Sequence, residues 1–165
     1  MSMSKQDAGW LIGRAVAIVG LLVMFFALTG CAGRAALIPV SDPALKKSSA
    51  QFAADAAKRS YPAAAPRGGE APARADVDHC VLNRMKLINL SDQDWADVDL
   101  WVNQKYVVHL GSWPRGQLKK VNFQMLFDDG GQSFPIGNDK NGPKVQSVEL
   151  AHEGKVFEVP VTLAD

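Results

Sequence analysis

Asp97-Val98-Asp99-Leu100-Trp101-Val102 is the stretch that decides the fold. Val98, Leu100 and Val102 fall on one side of an extended chain and Asp97, Asp99 and Trp101 on the other. That is the period-two pattern of a strand with one buried face. Asn103-Gln104 interrupts the run, and a second strand is expected over 105–110. Further on, Val121, Phe123, Met125 and Phe127 alternate with Lys120, Asn122 and Gln124, giving a strand over 118–127. Asp128-Asp129-Gly130-Gly131 is a strong turn, after which a short strand fits 132–135. Val148 and Leu150 mark a strand over 145–152, and Glu153-Gly154 makes a two-residue hairpin into a strand over 155–163, where Phe157, Val159 and Val161 alternate. Upstream, Met85 and Leu87 place a strand over 82–90.

About seven short strands at this turn spacing, with no helical period, predict an all-β domain over 77–165. The expected architecture is a small antiparallel immunoglobulin-like β-sandwich, with a small β-barrel as the alternative. The Cys…Trp…Cys framework of antibody domains is absent from the sequence. The expected core is Met85, Leu87, Val98, Leu100, Tyr106, Val108, Val121, Phe123, Met125, Val148, Leu150, Phe157, Val159 and Val161.

The rest of the chain has a different composition. Residues 32–76 are rich in Ala, Pro, Ser and Gly and carry seven basic against four acidic side chains, while 77–165 carry nine against twelve. Neither balance makes a nucleic-acid-binding patch. The segment 31–76 is expected to be a mostly disordered linker, because Ala63 to Ala73 holds too little apolar area to offset chain entropy. A short helix fits within 43–59, with Asp42 as cap, Pro43 at the first helical position and Tyr61-Pro62 ending it.

Ahead of the linker, Lys5 and Arg14 precede an uncharged apolar run from Ala15 to Ala27, the layout of a secretory signal. Leu28-Thr29-Gly30-Cys31 follows at once. This four-residue run resembles the lipobox of bacterial lipoproteins. The resemblance implies cleavage between Gly30 and Cys31, a diacylglyceryl group on the Cys31 sulfur, and a signal peptide spanning 1–30. The implied partner is membrane lipid, with the domain in the cell envelope. Ala32 in place of Asp points to the outer membrane, facing the periplasm. The alternative is an uncleaved inner-membrane helix over 15–33, close to the ~20 residues needed to span a bilayer. The run from Asp94 to Tyr106 is similar to β-sandwich modules of uncharacterised bacterial envelope proteins, a likeness that carries no activity.

No catalytic constellation and no cofactor motif is legible. Once Cys31 is lipidated, Cys80 is the only other cysteine, so no intrachain disulfide can form. Cys80 reads as a small buried hydrophobe, with a thiol nucleophile paired to His79 as the alternative. His79, His109 and His152 lack the spacing of metal ligands. Asp92, Asp94, Asp97 and Asp99 cluster around Trp95, but Asp97 and Asn103 stand where an EF-hand needs Gly and Glu. Asn89-Leu90-Ser91 fits a glycosylation sequon that means little in a bacterium. The aromatics are the stronger lead. Trp101 lies opposite the buried face of its strand and Trp113 beside a loop, so both are candidates for a surface that binds an envelope protein or a glycan. The functional expectation is a non-enzymatic, membrane-anchored binding or scaffolding module. The alternatives are a structural subunit of an envelope or secretion complex and a thiol-dependent enzyme using Cys80.

Overall fold

The computed structural model describes residues 42–78, 83–136 and 144–164. The cleavage site Gly30-Cys31, with the signal and anchor expected around it, lies outside the described residues, as do His79 and Cys80. In chain order the elements are a 3-10 turn at Pro43–Leu45, α1 (Ser49–Ala56), β1 (Arg67–Glu70), β2 (Ala73–Asp78), β3 (Arg84–Asn89), β4 (Trp95–Val102), β5 (Tyr106–Trp113), β6 (Leu118–Asn122), a 3-10 turn at Phe123–Met125, β7 (Val148–His152), β8 (Lys155–Glu158) and β9 (Val161–Ala164).

The strands form two sheets, one ordered β6-β3-β2-β9 and the other β1-β8-β7-β4-β5. Inward side chains from both meet in one apolar cluster, with Ala75, Val77, Met85, Leu87 and Val121 from the first sheet and Val98, Leu100, Val108, Leu110 and Leu150 from the second. The domain is therefore an all-β, two-sheet sandwich, and neither described sheet closes into a barrel. Two expectations change. Nine strands are described instead of about seven, and the sheets are mixed: β1 runs parallel to β8 and β2 parallel to β9.

One member of each parallel pair, β1 and all of β2 but Val77 and Asp78, comes from the segment 31–76 expected to be a linker. From Asp42 onward that segment folds. Ala73, Ala75 and Val77 are buried while Arg74 and Asp76 face solvent, so β2 is a half-buried strand paired with β3 and β9. Alanine at two of the three inward positions lowers the apparent hydropathy without changing the pattern. The expected helix over 43–59 is shorter and split. Asp42 accepts from the Ala44 N–H and caps the 3-10 turn, then Ser48 and Gln51 make a reciprocal capping box for α1. α1 buries Phe52 and Ala56 and packs against β5 and the Phe123–Met125 turn. Burying a phenylalanine ring there contributes about 2–3 kcal/mol.

Three predicted strands are cut short. The alternation Val121-Phe123-Met125-Phe127 ends as a strand at Asn122, where the chain turns to cross between the sheets, and Phe127 then makes a single bridge with Val107. Residues 132–135 contribute one bridge at Ser133, and Phe134 packs its ring on Tyr106 and Phe123. At the C-terminal end, Pro160 divides the predicted strand. β8 stays in the five-stranded sheet, while β9 joins the other after the Pro160 carbonyl accepts from the Ala75 N–H. The two-residue hairpin at Glu153-Gly154 forms as expected, with both residues at positive φ and His152 opposite Lys155.

Candidate functional site

The outer face of the five-stranded sheet carries Asp99 and Trp101 from β4, Val107 and His109 from β5, and Glu149 and Ala151 from β7. Such a face is ordinarily solvated. Here the segment from Asp42 to Pro66 lies across it as a strap. Tyr61 meets Trp101 edge-on with ring centroids 5.4 Å apart, and its hydroxyl donates to Glu149 Oε2 at 2.7 Å. Arg67 donates to Glu149 Oε1 at 2.8 Å and to the Tyr61 oxygen at 2.9 Å, which neutralises a carboxylate that is almost wholly buried. Burial, with the Glu149 carboxylate beside it, pushes the Tyr61 hydroxyl pKa above its ordinary value. Arg59 Nε donates to Asp99 Oδ1 at 2.8 Å, and His109 Nδ1 lies 2.7 Å from the same oxygen. A carboxylate can only accept, so the proton of that second contact sits on the imidazole nitrogen.

The strap corrects the expectation for the tryptophans. Trp101 is 3% exposed and Trp113 is fully buried, so neither presents a surface to a partner. The alternation placed Trp101 on the correct face. That face is covered. Trp113 packs edge-on against Trp95 and donates its indole N–H to the Gln117 carbonyl at 2.9 Å. Asn89 is also fully buried. Its side chain donates to the carbonyls of Gln93 and Trp113 and accepts from Ser91, so the sequon asparagine is committed to holding the loop before β4.

What remains open lies at the end of this sheet, where β4 begins and the β7–β8 hairpin turns. A cavity of about 540 Å³ is lined there by Asp94, Asp97, Asp99, His152 and Glu153, with Pro62 of the strap as part of its wall. A smaller hollow of about 260 Å³, lined by Trp95, Phe157 and Pro72, shares His152 and Glu153 with it. A break in strand register supplies the acidic rim. Between Trp95 and Asp99 the β4–β5 pairing shifts, Asp97 adopts φ 54°, and its carboxylate swings into solvent 3.9 Å from His109 Nε2. His152 stacks on Trp95 with ring centroids 5.7 Å apart, and its Nδ1 is shielded from solvent with no hydrogen-bond partner among the described residues.

The four-aspartate cluster is thus brought together only in part. Asp94, Asp97 and Asp99 line one cavity, whereas Asp92 lines the smaller hollow. Among the described residues no three His, Cys, Asp or Glu side chains are grouped so as to hold a metal ion. Excess carboxylate beside an aromatic and an imidazole suits a cationic or hydrogen-bond-donating group. The Arg59–Asp99–His109 contact was not legible in the sequence, since its members are 40 and 10 residues apart and nothing local links them. No protein-family model, curated protein or solved structure matches the chain.

Proposed function

We propose that the chain is a lipid-anchored bacterial envelope protein whose sandwich binds or positions another envelope component without chemistry of its own. The observation that carries this is the register of Leu28-Thr29-Gly30-Cys31 at the end of an apolar run with Lys5 and Arg14 before it. Two or three acyl chains on Cys31 make attachment effectively permanent, because each buried CH₂ contributes about 0.8 kcal/mol. The folded strap supports a short leash. Only residues 32–41 separate Cys31 from Asp42, and ten residues span at most about 35 Å and about 18 Å root-mean-square. The outer membrane, facing the periplasm, is the proposed site.

We also read the fold as immunoglobulin-like. Supporting this, β2, β3 and β6 lie side by side in one sheet, while β4, β5, β7 and β8 lie in the other in the order β8-β7-β4-β5. That is the partition of an immunoglobulin sandwich with an added C′ strand. With Trp101 and Trp113 buried, the binding surface we favour is the cavity rim of Asp97, His152 and Glu153, with Trp95 beside it.

The anchor is tested in the native host with labelled palmitate. Wild-type protein takes up label and loses residues 1–30, while Cys31→Ser takes up none and keeps its leader. A wild-type chain whose mass includes the initiator methionine and an unmodified Cys31 would falsify the proposal.

A further inference from the structure

The face of the sandwich opposite the strap is open, and its charge differs from that of the cavity. On the outer side of the four-stranded sheet the register aligns Arg74, Ile88 and Leu118 in one row, Asp76, Lys86 and Lys120 in the next, and Asp78, Arg84 and Asn122 in the third. Arg74, Lys86 and Lys120 are exposed, and Arg84 is half-buried. Four basic side chains against two acidic ones leave the face with an excess of two positive charges. One end of it is apolar. Leu118 is 45% exposed and Leu90, just past β3, is 59% exposed, against a set of only four exposed large hydrophobics among the described residues. The strap side of the other sheet carries the acidic cavity, where Asp94, Asp97 and Glu153 outnumber Lys155. The open sheet face is thus basic where the cavity rim is acidic.

The chain enters the domain against the inward side of an edge strand of the basic sheet. Asp42, the first described residue, forms an ion pair with Lys119 of β6, the edge strand of that sheet. The ten residues before it are the whole of the leash to Cys31.

We infer that the outer face of the four-stranded sheet, with Lys86 and Lys120 in its middle row and Arg74, Leu90 and Leu118 towards its end, rests on an anionic phospholipid surface. This rests on the anchored reading for its leash. The charges, the exposed leucines and the entry point all belong to the domain. Each net basic residue at such a surface favours contact about fivefold, so two give on the order of 25-fold, and the leucines add apolar contact at the headgroup boundary. An orientation that brings the acidic cavity rim against lipid phosphate is disfavoured.

The test uses full-length protein taken from membranes and reconstituted in vesicles of phosphatidylglycerol with phosphatidylethanolamine, or of phosphatidylcholine alone. Lysines are acylated in a short pulse and read by peptide mass spectrometry. Lys86 and Lys120 should react about tenfold more slowly on the anionic vesicles, while Lys58 and Lys155 are unchanged. High salt should remove the difference, because the screening length falls to about 3 Å at 1 M. Lys86→Glu should abolish most of the protection at Lys120. Equal rates at Lys86 and Lys120 on both vesicles, or equal slowing of all four lysines, would overturn the docking. The mass of the Cys31 peptide from the same sample reports the anchor separately. A lipidated chain without protection removes the docking alone, and protection in an unlipidated chain removes the anchor alone.

Discussion

The contact between Lys119 and Asp42 gives a sharp test of how the strap is held. Lys119 points inward from β6, its side chain is 1% exposed, and its ammonium donates to the Leu110 carbonyl at 2.8 Å as well as to the Asp42 carboxylate. Removing one partner of a fully buried pair costs about 3–5 kcal/mol, because the survivor is left as an uncompensated charge. Asp42 retains 18% side-chain exposure, so water recovers part of that. Asp42→Asn keeps the cap to the Ala44 N–H and removes only the charge. It should cost about 2–3 kcal/mol, on the order of 10 °C in Tm for a domain of this size. Lys119→Met keeps the volume of the stem, removes the buried charge and leaves a carboxylate that is in partial contact with water. It should cost within about 1 kcal/mol, and the double variant should match it. The assay is urea unfolding followed by tryptophan fluorescence on the chain from position 31 carrying Cys31→Ser, with an unchanged m-value required. If Lys119→Met is the more damaging single change, the buried-charge reasoning is wrong.

Three further outcomes follow from the packing and the titrating groups. Trp113→Ala should lower stability by about 3–5 kcal/mol, since it empties a fully buried indole site; thermal unfolding within 1 °C of wild type would restore Trp113 as a surface residue. Gly68→Ala puts a Cβ 2.1 Å from the Phe157 ring, so it should destabilise by about 1–3 kcal/mol, and Phe157→Leu in the same chain should recover part of the loss, both read from urea midpoints. Tyr61 has a raised pKa, so its proton contributes stability that is fully present below its ordinary value of 10.0 and lost as pH rises through the folded value. Stability should therefore fall above pH 10, and Tyr61→Phe should flatten that part of the urea-midpoint profile; an unchanged alkaline slope counts against the Tyr61–Glu149 contact.

The sequence was most legible where large apolar residues alternate along a strand. Val98, Leu100, Met85 and Leu87 show this, and all four are fully buried. It was least legible where small residues did the burying. Ala73-Arg74-Ala75-Asp76-Val77-Asp78 alternates as regularly as β4, yet alanine contributes little hydropathy, so the same spacing reads as a polar linker. Phe123 misled in the opposite way. Its i+3 neighbour Leu126 is buried as deeply, a spacing that fits the 3-10 turn as well as alternation fits a strand. For the candidate site, local spacing gave the acidic cluster but not the partners that define it. Arg59 reaches Asp99 across 40 residues and Tyr61 reaches Glu149 across 88, and no window of sequence contains both ends of either contact.

The two parallel pairings have a consequence for biogenesis. Among the described residues β1 and β2 come first, and they wait for β8 and β9, the last described, before either sheet is complete. A polypeptide made from its N-terminus holds β1 without a neighbour, and β2 with only β3 beside it, until β8 and β9 follow. A stop codon ahead of Lys155 would therefore leave β1 without a neighbour and β2 without its parallel neighbour, so truncation at the far terminus should be felt first at the near one.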